Sequence, residues 1–173
     1  MKALDFPGDL SNFLTRYEYQ PTLTHRLDDL SAEQFTQQSI NEIVLWKADR
    51  YVELDDITLQ GLNELKSLTR GQHRRAEIVL EILLLTHGVD LPVASTILRF
   101  RNPRTFQIID RHAYRAVYGT KYSLYTTTPL NRKIAIYFNY LDELVSLCES
   151  RGLDFETVDR LLYIFDKEKN GAL

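Results

Sequence analysis

Cysteine and clustered metal ligands are scarce in this chain. Its 173 residues include a single cysteine, Cys148. One cysteine excludes an internal disulfide, and it excludes a four-thiolate zinc or iron-sulfur site built from this chain alone. The four histidines, at positions 25, 73, 87 and 112, show no spacing typical of metal ligands. We therefore expect no metal centre and no iron-sulfur cluster.

Long apolar runs are absent as well. No stretch approaches the roughly 20 apolar residues that span a bilayer. The start MKALDFPGDL is acidic and lacks the basic flank and apolar centre of a secretory signal. With 44% hydrophobic and 26% charged residues, the chain can bury a continuous core. We expect a cytoplasmic protein without membrane contact, forming one compact helical domain over residues 1–173.

Positive charge is confined largely to one segment. The net charge is -3, yet residues 91–133 carry eight lysines or arginines and one acid, Asp110. That segment has a charge of +7, so the remainder carries -10. Such a block is typical of a face that binds a polyanion, although a solvated surface explains it equally well from charge alone.

Capping residues and apolar spacing predict helices. Ser31 and Gln34 have the spacing of a capping box, which predicts a helix running to about Tyr51. The stretch RRAEIVLEILLLT is apolar almost all round after its first turn and is expected to run through the core. Alternation typical of strands is scarce, so the sequence predicts an all-α fold.

Two short patterns are candidates for chemistry. Gly88 lies in a tight break between helices, and Pro92 suits the first turn of the second helix, whose leading amides can hold a phosphate. Further on, Asp110 starts a helix with Arg111 and Arg115 one turn apart on one face. Taken singly, each has a structural explanation, because glycine turns are common and an aspartate at a helix start is usually a cap contributing roughly 1 kcal/mol.

Together the two patterns resemble the helix-hairpin-helix superfamily of DNA base-excision glycosylases, which includes endonuclease III, MutY and 8-oxoguanine glycosylase. Its hairpin reads leucine, proline, glycine, valine, glycine, any residue, lysine, and the next helix often opens as valine, aspartate, threonine, histidine with an arginine three residues later. The interval from Pro92 to Asp110 agrees with the family's lysine-to-aspartate interval. The matching positions are Leu85 (displaced by one residue), His87, Gly88, Val89, Asp90, Leu91, Pro92, Val93, Ala94, Ser95, Ile109, Asp110, Arg111, His112 and Arg115.

The resemblance implies a two-lobed helical bundle with a cleft between the lobes. The helix-hairpin-helix would cover about residues 73–100, and the catalytic-helix region about 106–119. It implies double-stranded DNA as the partner, extrusion of a damaged or modified base, and Asp110 as the catalytic carboxylate. The hairpin would be a possible site for a monovalent cation. A group of uncharacterised bacterial proteins of this superfamily is also similar around residues 43–51 and 158–170.

Further site residues follow from the basic segment and its tyrosines. The base pocket would draw on aromatic rings that stack on an unstacked base, and on Lys47, which is either an exposed helical lysine or a relocated amine nucleophile. The expected base-pocket residues are Lys47, Tyr118, Tyr122 and Tyr125. The expected DNA-binding residues are Gly88, Val89, Asp90, Leu91, Arg99, Arg101, Arg111, His112, Arg115 and Lys121.

Two positions depart from the superfamily pattern. Pro92 stands where bifunctional members carry the lysine that attacks the deoxyribose, which excludes a lyase step by that route and predicts a monofunctional glycosylase. Asp90 replaces the last hairpin glycine and brings a negative charge close to an incoming phosphate. Two other functions therefore stay open: a catalytically inactive DNA-binding module, and a protein-interaction component of a defence or toxin-antitoxin system.

Overall fold

A computed structural model describes residues 1–48, 52–121 and 127–172, and within these ranges the chain is helical, without strands. The described residues include five 3-10 turns, at Leu10–Arg16, Leu30–Ala32, Leu65–Ser67, His73–Ala76 and Phe155–Thr157. The α-helices of the described residues are α1 (Pro21–Asp29), α2 (Gln37–Ala48), α3 (Asp56–Glu64), α4 (Glu77–Leu85), α5 (Leu91–Arg101), α6 (Arg111–Tyr118), α7 (Leu130–Arg151) and α8 (Val158–Asn170). The all-α expectation is therefore confirmed for these ranges.

Helix α2 begins later than the sequence predicts. Ser31 lies in the 3-10 turn Leu30–Ala32 and donates its hydroxyl to the carbonyl of Asp28 at 3.2 Å, so it forms no capping box with Gln34. The reciprocal contacts lie between Thr36 and Ser39 instead, where each hydroxyl accepts from the other residue's backbone amide, at 3.2 and 3.4 Å. The predicted end of this helix, Tyr51, is outside the described residues.

Helix α4 does not run through the core on all sides. Leu80 and Leu83 are fully buried, whereas Ile78 and Leu85 are 72% and 70% exposed. These positions fall on two faces of one helix, and α4 packs against α3, α5 and α7. The all-round apolar pattern left open which face packs, and the expectation that the whole helix is internal is wrong.

Helix α5 is the most buried of these elements, since only Pro92 among its residues is more than marginally accessible. It packs closely against α2, while α6 packs against both α7 and α8. Within the described residues, no helix combines the length and the apolarity that crossing a membrane requires. These packings bring the start of α6 next to the end of α2.

Candidate active site

A cavity of about 160 Å³ lies where the start of α6 meets α2, α8 and the segment before α1. It is larger than the roughly 30 Å³ share of one water and smaller than the roughly 300 Å³ of drug-sized sites, so it suits one small ring system. Its lining residues are Tyr17, Tyr19, Trp46, Lys47, Ile108, Asp110, Ala113, Asp159, Arg160 and Tyr163.

Asp110 divides its two carboxylate oxygens between two tasks. Oδ1 accepts the backbone amides of His112 and Ala113, both at 2.9 Å, and so caps α6. Oδ2 lies 3.6 Å from Nζ of Lys47, and the Asp110 side chain is 24% exposed. The carboxylate is therefore both a cap and a charged group at the cavity.

The extended segment before Asp110 is held from two sides. Ser95 of α5 accepts the backbone amide of Ile109 on its hydroxyl oxygen at 3.2 Å. Two buried tyrosines of α7, Tyr137 and Tyr140, donate their hydroxyls to the carbonyls of Gln107 and Ile108 at 3.0 and 2.9 Å. Buried backbone groups without ladder partners need such bonds, and these fix where Asp110 enters α6.

One aromatic wall of the cavity comes from α2 and the segment before α1. Tyr19 and Trp46 meet edge to face with ring centroids 5.2 Å apart. The Tyr19 hydroxyl donates to the carbonyl of Trp46 at 3.2 Å, and the Trp46 indole N–H donates to the hydroxyl of Thr24 at 3.1 Å. These bonds hold both rings, so the wall is preformed.

Helix α8 supplies Tyr163 as another aromatic lining residue. Its ring meets that of Tyr17 at 6.3 Å between centroids and that of His112 at 5.0 Å, each edge to face. Burial raises the pKa of Tyr17 well above its usual range, and the nearby carboxylate of Asp159 acts in the same direction. Tyr17 therefore offers a neutral ring and hydroxyl at neutral pH.

His112 and Arg115 both contact a buried carboxylate. Asp166 of α8 is fully buried, accepts Nε and Nη2 of Arg115 at 2.8–3.1 Å, and lies 2.7 Å from Nδ1 of His112. Arg115 also donates to the carbonyls of Gly171 and Ala172. The expectation that Arg115 lies on an exposed basic face is corrected, because its guanidinium ties α6 to α8.

Arg99 and Arg101 require the same correction. Arg99 is 3% exposed and donates to the carboxylate of Asp28 and the carbonyl of Glu156. Arg101 is 1% exposed, donates to the carbonyl of Glu33 and lies over the ring of Phe35 at 4.8 Å. Both cations sit on the buried helix α5, so neither is placed to contact a phosphate in this conformation.

The hairpin expected to hold a phosphate lies between α4 and α5. Gly88 has φ +83°, the left-handed conformation that glycine adopts without strain. The side chains of Val89 and Leu91 are buried, at 7% and 2% exposure. Asp90 caps α5 by accepting the amide of Val93 at 3.2 Å, so a carboxylate already occupies part of the helix start. Arg111 and Lys121 are exposed and are the cations of the expected set that remain available on the surface.

Tyr118 lies away from the Asp110 cavity. It pairs with Tyr114, with ring centroids 4.5 Å apart, and both line a different depression together with residues of α7. Burial raises its pKa to about 12. The prediction that Tyr118 stacks on a base at Asp110 is therefore corrected, while Tyr122 and Tyr125 lie outside the described residues.

Several cavity residues escaped the sequence analysis, namely Tyr17, Tyr19, Asp159, Arg160 and Tyr163. They lie about 90 residues before or 50 after Asp110 in the chain, and no local spacing connects them. Among them, only Tyr17 and Tyr19 have a feature in the sequence that could have indicated a binding site, since each combines an aromatic ring with a polar hydroxyl. Over residues 1–48, 52–121 and 127–172, no group of three or more potential metal-ligating side chains occurs.

No protein-family model, curated protein or solved structure matches this chain in the comparisons.

Proposed function

We propose that the protein is a monofunctional DNA glycosylase that removes a damaged or modified base from duplex DNA. The observation that carries this proposal is the placement of Asp110. Its Oδ1 accepts hydrogen bonds from the first backbone amides of α6, while Oδ2 lies 3.6 Å from Nζ of Lys47 in a cavity lined by aromatic rings. A fixed carboxylate beside stacking surfaces is what removal of an extruded base requires.

The proposed chemistry uses the carboxylate at the sugar. The bond between C1' and the base nitrogen breaks, and the base leaves with the bonding electrons. The resulting oxocarbenium ion is stabilised by the negative charge of Asp110. Water adds at C1' and loses a proton, and the departing nucleobase gains one, so the products are the free base and the abasic sugar. Lys47, at 3.6 Å, is placed to pair with Asp110 and to orient its carboxylate.

The proposal includes two helical lobes that grip the duplex around this cavity. Three arginines of the basic segment are buried. In this proposal the contacts to DNA phosphates therefore come from exposed cations such as Arg104, Arg111, Lys121 and Arg132. Each phosphate contact of this kind releases a counterion, so the affinity for any duplex is expected to fall steeply with salt.

The experiment is an excision assay on a panel of duplexes carrying oxidised, alkylated and deaminated bases, followed by alkali to cleave abasic sites. The matched variant is Asp110→Asn, because asparagine caps a helix about as well as aspartate and so preserves α6 while removing the charge. We expect cleavage at one or more lesions with the wild type and at least a 100-fold loss in Asp110→Asn. Absence of cleavage on every duplex, or equal rates for both proteins, contradicts the proposal.

Retention of DNA without excision would favour the inactive DNA-binding module. That outcome requires salt-dependent binding that Asp110→Asn leaves unchanged. A protein without affinity for DNA at moderate salt would favour the protein-interaction role instead. A gel-shift titration at several salt concentrations separates the two.

The position of Lys47 favours a second candidate, a glycosylase with a lyase step. Pro92 provides no nucleophile, but Lys47 brings an amine into the cavity, 3.6 Å from Asp110. In this candidate the neutral amine adds to C1' of the opened abasic sugar and water leaves, forming an imine. A proton then leaves C2', and the 3' phosphate departs.

Borohydride trapping on duplex containing an abasic site tests this step without any base excision. Borohydride reduces the imine to a stable amine, which links protein and DNA covalently. The second candidate predicts a cross-link with the wild type that Lys47→Arg abolishes and Lys121→Arg, an exposed control, retains. Failure of the wild type to cross-link contradicts it and leaves the monofunctional proposal standing.

A further inference from the structure

Helix α4 presents a row of apolar side chains to solvent, outside the candidate active site. Ile78, Ile82 and Leu85 are 72%, 36% and 70% exposed. Their i, i+4, i+7 spacing places them on one face of the helix, over about two turns. Leu80 and Leu83 lie on the opposite face and are buried. A contiguous row of exposed apolar side chains is typical of a surface that binds another molecule.

Helix α3 extends this apolar surface. It packs against α4, and a Cβ atom added to Gly61 would lie 3.2 Å from the side chain of Val79, so the two helices approach closely. Glu53 and His87 line one depression, which brings the chain before α3 next to the chain after α4. Ile57, in the first turn of α3, is 78% exposed. It therefore adds an apolar side chain beside the C-terminal end of the row.

Acidic side chains accompany the apolar row. Glu77 and Glu81 lie one turn apart on α4, and Asp56 begins α3; all three are exposed. No ion pair of the described residues includes any of them. Glu81 lies three residues after Ile78 and four before Leu85, so it is next to both on the helix surface. The α3–α4 surface comprises Ile57, Glu77, Ile78, Glu81, Ile82 and Leu85.

The charges of the α3–α4 surface distinguish between possible occupants. Carboxylates in the middle of the row repel DNA and anionic lipid headgroups. A second copy of this chain is disfavoured too, because a two-fold contact centred on Ile78 and Ile82 brings the Glu81 side chains of both copies together. Arg75 precedes α4 by two residues and so lies at the start of the row, away from its centre. The acidic middle therefore favours a partner with basic side chains.

We propose that the α3–α4 surface binds an amphipathic helix of a partner protein, one whose apolar face is flanked by lysines or arginines. Two turns of exposed apolar residues match the i, i+3 or i+4, i+7 anchors through which such helices are recognised. The basic side chains of the partner pair with Glu77 and Glu81 at the edge of the contact. This inference does not rest on the proposed function, because the surface lies outside the Asp110 cavity.

Three fluorescently labelled peptides of about 14 residues, four turns of helix, test this surface on the full-length protein. The first is a leucine-lysine helix with leucines at i, i+3, i+4 and i+7. The second has the same composition in an order that gives no apolar face, and the third carries glutamate in place of lysine. Fluorescence anisotropy is expected to give a micromolar dissociation constant for the first peptide and at least tenfold weaker binding of the other two.

Matched variants locate the binding on α4. Leu85→Gln and Glu81→Lys are each expected to weaken binding of the first peptide at least fivefold. Leu4→Gln replaces a leucine that is 53% exposed on another part of the protein, and Glu149→Lys reverses an exposed charge on α7. Both controls are expected to stay within twofold of the wild type. The circular dichroism melting curve of each variant establishes that it is folded.

Absence of binding of the first peptide up to 200 µM wild-type protein overturns the inference. Equal binding of the second peptide, or equal losses in Glu81→Lys and Glu149→Lys, also overturns it, because either result describes a general attraction of basic peptides to an acidic protein. Sedimentation velocity between 1 and 200 µM is expected to show a monomer. A rise to the dimer mass that Leu85→Gln abolishes overturns the inference and assigns the surface to a second copy of the chain.

Discussion

At the scale of single residues, Asp166 is a fully buried carboxylate that three side chains contact. Burial by itself raises the pKa of this carboxyl, but hydrogen bonds from Arg115, Asn170 and His112 outweigh it and leave the pKa lowered. The same contacts hold His112 against Tyr163 and so support a wall of the cavity. Breaking a buried pair leaves an uncompensated charge, which is far more costly than losing a surface pair.

Asp166→Asn is expected to destabilise the fold by about 3–5 kcal/mol, because the buried guanidinium of Arg115 loses its counter-charge. Glu168→Gln on the same helix removes a partly exposed carboxylate that pairs with Arg16, and is expected to cost less than about 1 kcal/mol. Urea denaturation of both variants measures the free energies of unfolding. Similar losses in the two would contradict the role given to Asp166.

At the scale of elements, one residue at the start of α6, Asp110, both caps the helix and is the proposed catalytic carboxylate. Asp110→Ala removes the acceptor for the amides of His112 and Ala113, and is expected to cost about 0.5–2 kcal/mol. Asp110→Asn keeps an acceptor and is expected to stay within about 0.5 kcal/mol of the wild type. Chemical denaturation measures both, and a large loss in Asp110→Asn would show that the charge itself stabilises α6.

Helix α4 has apolar residues on both its buried face and its exposed face, and substitutions on the two faces are expected to differ in their effect on stability. Leu80→Ala is expected to cost about 2–5 kcal/mol, because Leu80 is fully buried. Ile78→Gln, at a position 72% exposed, is expected to change the free energy of unfolding by less than about 0.5 kcal/mol. Thermal and urea unfolding compare the two. A strong loss at Ile78 would mean that a partner or another part of the chain covers that face.

At the scale of the whole molecule, lowered carboxyl pKa values determine the response to acid. Burial raises the pKa of Asp28, but bonds and charges from Arg160 and Arg99 outweigh it, and the pKa of Asp166 is lowered in the same way. A carboxyl whose pKa is lower in the folded state contributes its full stabilisation above its unfolded pKa, about 3.9. That stabilisation is lost as the pH falls through the folded value.

The contribution of these groups to the free energy of unfolding is therefore expected to be nearly constant above about pH 5 and to fall below about pH 4. Urea titrations between pH 2.5 and 7 measure this dependence. In Asp166→Asn the fall below pH 4 is expected to be shallower, because one of the responsible groups is gone. An unchanged slope in that variant would contradict the assignment.

The sequence by itself determined the helical character of the described chain and the position of Asp110 at a helix start. Capping and apolar spacing act over three or four residues, so they can be recognised without a fold. The same local rules misplaced the start of α2, where Thr36 and Ser39 form the reciprocal contacts instead of Ser31 and Gln34. Both pairs have a suitable local spacing, and which of them caps the helix depends on tertiary contacts that this spacing does not show.

Only the tertiary structure decided which charges are exposed and which residues share the cavity. Charge counting treated Arg99, Arg101 and Arg115 as surface cations, yet the packing of α5 and α6 buries them. Tyr17 and Asp159 meet at the cavity across 142 positions of sequence. Burial and long-range proximity arise when helices pack against one another. A local sequence pattern does not show them, because they depend on which face of each helix the neighbouring helices cover.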